Sequence, residues 1–271
     1  MPLWTLYGLR LGKASTAWPA RGDDGQSGLL GMPRFDPDKC QEGCKACAEA
    51  CLPKAISLID NGEAQVAVDY GRCVACQLCV EVCPAGAFTA SGDWAFSVRQ
   101  REDLHWGESS GAVEEQALTG AIRRVFGRSL HIRHVDAGSC NGCESELQAL
   151  NNPIYNLHRL GIFFTPSPRF ADLLLVTGPV TYAMRGPLLE AYEAMPEPKF
   201  VMAMGVCAVS GGTNGGGYAC GNGLDGVLPV DIYVPGCPPN PAAMIHALLM
   251  LLERAPPEVR AGRMIDRARD A

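Results

Sequence analysis

Cysteine placement constrains this chain more than any other feature. Thirteen cysteines occur in 271 residues, and eight of them fall in two short runs. The first run reads Cys40-x3-Cys44-x2-Cys47-x3-Cys51, followed by Leu52-Pro53. The second reads Cys73-x2-Cys76-x2-Cys79-x3-Cys83, followed directly by Pro84. An odd count at Cys-x-x-Cys spacing suits metal ligation better than a secreted disulfide framework. The compartment signals agree. Met1 to Pro19 lacks a basic start followed by a continuous apolar core, and no twin-arginine signal is present. The longest late apolar run, Ala242 to Leu252, is too short to span a bilayer. The expectation is a cytoplasmic chain that is not itself inserted in a membrane.

Each run continues into a short helix-to-strand passage, Lys54-Ala-Ile-Ser-Leu58 and Ala85-Gly-Ala-Phe-Thr89, so residues 36–92 form an internal repeat. This is the bacterial two-cluster pattern, in which the fourth cysteine of each run ligates the other cluster. Cys40, Cys44, Cys47 and Cys83 are then the ligands of one [4Fe–4S] cluster, and Cys51, Cys73, Cys76 and Cys79 those of a second. Crossed ligation locks both halves together without a large apolar core. Zinc is the rival metal for paired Cys-x-x-Cys motifs, and eight thiols with proline after the last disfavour it. The first run departs from the pattern by one extra residue between Cys40 and Cys44 and by Leu52 before Pro53. Gly43 is placed to absorb the insertion as a bulge.

A second constellation lies downstream. Asp136-Ala-Gly-Ser-Cys-Asn-Gly-Cys-Glu144 follows a strand-like run, His131 to Val135, and precedes a helical one, Glu144 to Leu150. Two thiols three apart on a strand-to-helix turn can ligate one centre, with Gly138 and Gly142 permitting close backbone approach. Cys207, in Met204-Gly-Val-Cys-Ala-Val-Ser-Gly-Gly212, and Cys237, in Val234-Pro-Gly-Cys-Pro-Pro239, each follow a further apolar run. From residue 129 on, expected strands (130–136, 171–177, 199–205, 230–235) alternate with expected helices (143–151, 186–195, 241–254). That alternation implies an α/β, flavodoxin-like parallel sheet flanked by helices. Ligands of such sheets bind outside the carboxyl ends of the strands. Cys140, Cys143, Cys207 and Cys237 can therefore converge on one sheet edge around a third cluster.

The expected organisation is an extended N-terminal arm (1–35), a small α+β two-cluster domain (36–92), a linker and helix (93–128), the α/β cluster domain (129–256) and a tail (257–271). The linker carries aromatic anchors Trp94, Phe96 and Trp106, and its helix covers 112–126 with Gly127 ending it. A net charge of −6 without a long basic run argues against nucleic acid as a partner. Gly221-Asn-Gly-Leu-Asp-Gly226 matches a dinucleotide fingerprint by letters alone, because it precedes a strand instead of joining strand to helix. Cys220 is read as a free thiol, since twelve others fill three clusters. His131 and His134 are read as packing or hydrogen-bonding residues, and Tyr233 and Met204 as core.

With these residues in place, the region from about Gln116 to Arg254 resembles the small subunit of NiFe hydrogenases and the proximal-cluster subunit of respiratory complex I. The motifs are Asp136–Glu144, Gly205-Val-Cys-Ala208, Ser210-Gly-Gly212 and Pro229-Val-Asp-Ile-Tyr-Val-Pro-Gly-Cys-Pro-Pro239. The first half resembles the two-cluster ferredoxin-like subunit of formate hydrogenlyase and complex I, including the lead-in Gly12-Lys-Ala-Ser-Thr-Ala-Trp-Pro19. The whole looks like a fusion of two normally separate subunits. Complex I proteins carry adjacent cysteines where this chain has Cys140-Asn-Gly-Cys143, so the likeness is to membrane-bound, energy-converting hydrogenases of the formate hydrogenlyase type. The resemblance implies an electron-transfer subunit with three [4Fe–4S] clusters and a NiFe centre in a separate large subunit. It further implies membrane subunits, and a soluble ferredoxin, a formate dehydrogenase or another electron-carrying subunit as redox partner, at the cytoplasmic face of the inner membrane. Glu144 would pass protons or tune the adjacent cluster; its bland alternative is a carboxylate favouring a helix N-terminus. Two other functions stay open here: the equivalent subunit of a complex I-like quinone or ferredoxin oxidoreductase, and a free-standing iron–sulfur carrier or regulator.

Overall fold

The computed structural model describes residues 3–12, 18, 28–59, 66–106 and 129–255, with 259–260 and 263–264 as a short backbone pair. The helix expected over 112–126 lies outside the described residues. The stretch expected as an extended arm is not extended throughout, because Leu3–Leu11 forms helix α1. Its sequence, LWTLYGLRL, holds a single charge, and Leu3, Trp4, Leu6, Tyr7, Leu9 and Leu11 are all exposed. Gly12, at φ +69°, ends the helix by bonding back to the Gly8 carbonyl at 3.1 Å.

The cysteine repeat folds into a small α+β unit. Its elements are β1 (Arg34–Phe35), α2 (Ala46–Ala50), β2 (Ile56–Leu58), β3 (Val66–Asp69), α3 (Leu78–Glu81), β4 (Phe88–Thr89) and β5 (His105–Trp106). β1 pairs antiparallel with β4, and β3 is flanked antiparallel by β2 and β5. The two expected helix-to-strand passages are α2–β2 and α3–β4. Aromatic rings fill the small core: Phe35 lies 4.8 Å from Phe88 and 4.9 Å edge-on to Trp106, and Tyr70 lies 4.9 Å from Phe96. Such pairs add roughly 0.5–1.5 kcal/mol beyond their buried area. Trp94 and Phe96 are buried as expected of anchors.

The second half is a five-stranded parallel sheet in the order β10-β9-β8-β6-β7. Its strands are β6 (Leu130–Asp136), β7 (Ile162–Phe164), β8 (Leu173–Thr177), β9 (Phe200–Met204) and β10 (Ile232–Val234). Helices α4 (Gly142–Ala149), α5 (Tyr182–Glu193), α6 (Gly205–Ser210) and α7 (Pro241–Leu251) complete it. β8 and β9 are buried at every position, which is why they read as continuous apolar runs: both faces of a parallel sheet are covered. Leu173, Leu175, Met202 and Met204 pack with α4 and α7, while Leu174, Val176, Val201 and Ala203 face the opposite core with Leu188 of α5. Burying each such leucine contributes about 1.5–3 kcal/mol. All eleven residues of α7 are buried, and Asn240 caps it by accepting from the Ala243 N–H at 2.7 Å.

Three features differ from the sequence reading. β7 and α6 were not expected, and α5 begins at Tyr182 with Pro187 inside it. Tyr233 is half-buried, not core, because β10 is an edge strand whose outer side takes Val98: the two residues exchange N–H···O bonds of 3.1 and 2.8 Å. The register decides the position of the functional loops. Asp136 pairs with Thr177, Thr177 with Met204 and Met204 with Val234, so four strands end in one row and their following loops share one edge.

Candidate metal centres

Cys40, Cys44, Cys47 and Cys83 line one cavity of about 310 Å³, partly open to solvent, together with Phe35 and Phe88. Gly43 adopts φ +75° in the turn before Cys44, which accommodates the extra residue of the first run. Burial raises the Cys40 thiol, and the charges of Cys44 and Cys83 add to it. Cys83 goes the other way. Burial alone would raise it, but backbone N–H groups of Phe88, Ala87, Ala85 and Gly86 outweigh that and hold it below the usual thiol range; the Ala87 N–H donates to its sulfur at 3.2 Å.

Cys51, Cys73, Cys76 and Cys79 form the second group. Burial pushes Cys73 up to about 11, with Cys51 and Cys76 contributing, and Cys79 up to about 12, with Cys73, Cys76 and Cys51 contributing. The Ala55 and Ala75 N–H groups donate to the sulfurs of Cys51 and Cys73 at 3.2 and 3.4 Å. Ala75 and Gln77 are left-handed, at φ +54° and +64°, a conformation costing non-glycine residues about 1–3 kcal/mol each. The Gln77 side chain offsets this by donating to the Gly31 and Ala75 carbonyls at 2.8 and 3.2 Å. The crossing of the fourth cysteines expected from the spacing is what the fold brings about.

The third group gathers at the sheet edge. Cys140 and Cys143 flank the start of α4, Cys207 sits on α6 beyond β9, and Cys237 follows β10. Burial, then Glu144 and the other three thiols, raise Cys143; burial, then Cys237 and Cys140, push Cys207 up to about 11. Gly205, at φ +82°, passes so close that a Cβ there would stand 2.6 Å from the Cys143 sulfur; one on Gly212, at φ +60°, would stand 3.0 Å from that of Cys207. The Val206 N–H donates to the Gly236 carbonyl at 3.0 Å, tying the Cys207 helix to the Cys237 loop. Cys140 and Cys237 are exposed.

The donor set fits a bulky inorganic core better than a single ion. All twelve ligand candidates are thiols, yet no three His, Cys, Asp or Glu among the described residues close tightly enough to hold one metal ion. Crowded thiols with raised proton affinity need compensating positive charge, which iron would supply as the protons leave.

Glu144 lies beside the third group. Ser139 Oγ donates to its Oε2 at 2.7 Å, Thr177 Oγ1 donates to its Oε1, and His134 Nε2 stands 3.5 Å from that oxygen and 2.9 Å from Thr177 Oγ1. Burial lowers His134, against the pull of Glu144 and Asp136. Burial would raise Asp136, but the Ser139 and Gly138 N–H groups, at 2.7 and 2.9 Å, hold it low and so fold the loop around its carboxylate. The carboxylate of Glu144 thus does more than face a helix terminus. Cys220 is buried, and its S–H donates to the Asn214 carbonyl at 2.9 Å. Sequence reasoning missed Thr177, Ser139 and Gly205. The signal for Thr177 was present, as the one polar residue at the carboxyl end of an apolar parallel strand.

Residues 140–251 match the family model described as NADH ubiquinone oxidoreductase, 20 Kd subunit, and residues 33–87 match a 4Fe-4S dicluster domain. Formate hydrogenlyase subunit 7 of Escherichia coli is 43% identical over 136 residues, which is 50% of this chain and 53% of that protein. A probable membrane-bound hydrogenase subunit of Pyrococcus furiosus is 43% identical over 131 residues, 48% of this chain and 78% of that protein. An uncharacterized protein of Methanocaldococcus jannaschii is 47% identical over 128 residues, 47% of this chain and 86% of that protein. The chain thus spans about half the length of the formate hydrogenlyase subunit it matches.

Proposed function

This chain belongs to the family of the NADH ubiquinone oxidoreductase 20 kDa subunit, and from that premise we propose that it is the electron-transfer subunit of a membrane-associated NiFe hydrogenase. It relays electrons through three [4Fe–4S] clusters, two of them in a dicluster unit that precedes the family domain in the same chain. The ligands are Cys40, Cys44, Cys47 and Cys83 for the first, Cys51, Cys73, Cys76 and Cys79 for the second, and Cys140, Cys143, Cys207 and Cys237 for the third. The observation that carries the reading is the convergence of four thiols from three strand ends onto one sheet edge, beside glycines that leave room for nothing but hydrogen. Such clusters, once bound, store and pass single electrons at potentials set by hydrogen bonds, charge and exposure. The chain's own residues do the rest. N–H groups of Ala55, Ala75 and Ala87 aim at sulfur and favour its anionic form. Glu144, held by Ser139, Thr177 and His134, keeps a carboxylate next to Cys143, where it can hand a proton onward.

The NiFe centre resides in a large subunit docked where Cys140 and Cys237 reach the surface. No helix among the described residues is long and apolar enough to cross a membrane, so membrane attachment goes through partner subunits. The exposed apolar faces of α1 weigh against a free-standing carrier, because they favour burial against another chain. A second reading, a complex I-like quinone or ferredoxin oxidoreductase, draws on the description of the family itself; the spacing of Cys140 and Cys143 favours the hydrogenase. Anaerobic purification of the native complex decides between them. Hydrogen uptake with a viologen dye, nickel in the co-purifying large subunit and about twelve irons in this chain are expected. Quinone-linked activity without nickel would replace the first reading with the second.

A further inference from the structure

The two cluster-bearing halves meet at a buried hydrogen bond that the electron relay does not by itself require. Ser210 is the last residue of α6, three positions after Cys207, and is 9% exposed. Its Oγ lies 3.0 Å from the Val206 carbonyl of its own helix and 2.9 Å from the Gly71 carbonyl of the dicluster unit. Gly71 in turn stands two residues before Cys73. The Gly212 N–H approaches the same hydroxyl at 3.4 Å, in the loop that packs on the Cys207 sulfur.

The acceptor side is held as firmly. The Gly71 N–H donates to Asp69 Oδ1 at 2.9 Å, and Arg101 Nη2 donates to Asp69 Oδ2 at 2.6 Å. The Arg101 guanidinium occupies the space a side chain on Gly71 would need, 2.5 Å from its Cβ position. The Gly71 carbonyl is thereby aimed at α6 by an ion pair on one side and a filled space on the other.

We propose that Ser210 is a positioning residue for electron passage between the second and third clusters, its hydroxyl bridging the Cys73 loop and the Cys207 helix through the Gly71 carbonyl. The inference rests on the three-cluster reading above. Tunnelling decays less steeply through bonded and hydrogen-bonded contacts than across van der Waals gaps, and here a single hydrogen bond joins two short backbone segments that each end on a ligand. One electron leaves the second cluster and enters the third, or the reverse, with no bond made or broken at Ser210. A serine that merely closed its own helix would be satisfied by Val206 alone.

The test compares wild type, Ser210→Ala and Ser210→Thr in the native complex. Iron content and midpoint potentials are measured first. Photochemical reduction with rapid freezing then follows by EPR the delay between reduction of the second and third clusters. Ser210→Ala is expected to keep its iron and potentials but to pass electrons between these two clusters severalfold more slowly. Ser210→Thr should restore the rate, and passage between the first and second clusters should be unchanged in both. The proposal is overturned if Ser210→Ala transfers at the wild-type rate, if Ser210→Thr is as slow as Ser210→Ala, or if Ser210→Ala loses iron, which would make the hydroxyl a scaffold contact only. Wild type with far fewer than about twelve irons would instead sink the three-cluster reading and this proposal with it.

Discussion

Replacing Gly205 with alanine asks most of the third metal centre. The residue sits at φ +82°, and an added Cβ would lie 2.6 Å from the Cys143 sulfur. Forcing an L-residue into the left-handed region costs roughly 1–2 kcal/mol. The contact adds more: ordinary van der Waals distance begins at 3.4 Å, so sulfur or strand must yield by 3.4 − 2.6 = 0.8 Å. Ligand positions tolerate only about 0.2 Å of error, so the thiol rather than the backbone conformation is where the substitution is felt. β9 is buried at every position and cannot retreat without unpacking both faces of the sheet. The expected outcome of Gly205→Ala is therefore selective. The EPR signal of the third cluster is lost or broadened and iron falls by about a third, while the two dicluster signals persist, since four of about twelve irons belong to each site. Full iron content with an unaltered third signal would refute both the close approach and the assignment of Cys143.

Other substitutions test other links. Leu174→Ala, at a fully buried position of the central strand, should lower stability by about 2–5 kcal/mol in denaturant titration; a loss below about 1 kcal/mol would mean the core is not packed as described. Cys83→Ser should remove the first cluster and spare the second, although the residue lies in the second run, and loss of the second cluster alone would contradict crossed ligation. In the iron-free chain, burial and neighbouring thiols raise Cys73, Cys79 and Cys207 to about 11, 12 and 11 from an ordinary 9.0. Their contribution to folding stability is then fully present below about pH 9 and lost as pH rises through 11–12; denaturant midpoints that climb over that window would reverse the sign and the reasoning.

Much of the architecture was legible because its signals are local. The spacing of the two cysteine runs specified a crossed repeat, and the alternation from 129 onward specified a parallel sheet with thiols at its carboxyl edge. Where local signals are weak, the reading fell short. β7 and α6 are three and six residues long, too short for any periodicity to show. Gly186-Pro187 reads as a helix breaker, yet α5 runs through it from Tyr182. Helix α1 was read as an arm because its run is apolar on all faces and so shows no amphipathic stripe.

The sequence by itself determined which thiols exist, how they are spaced and which loops carry them, because ligand spacing and strand–helix alternation are written along the chain. Tertiary structure alone decided the neighbours of those loops. In buried strands such as LLLVT and FVMAM no polar alternation marks the register, and it is register that sets Thr177 beside Asp136 and hence against Glu144. The meeting of Ser210 with Gly71, 139 residues apart, is decided still later, by how two separately organised halves pack, and no local pattern encodes that.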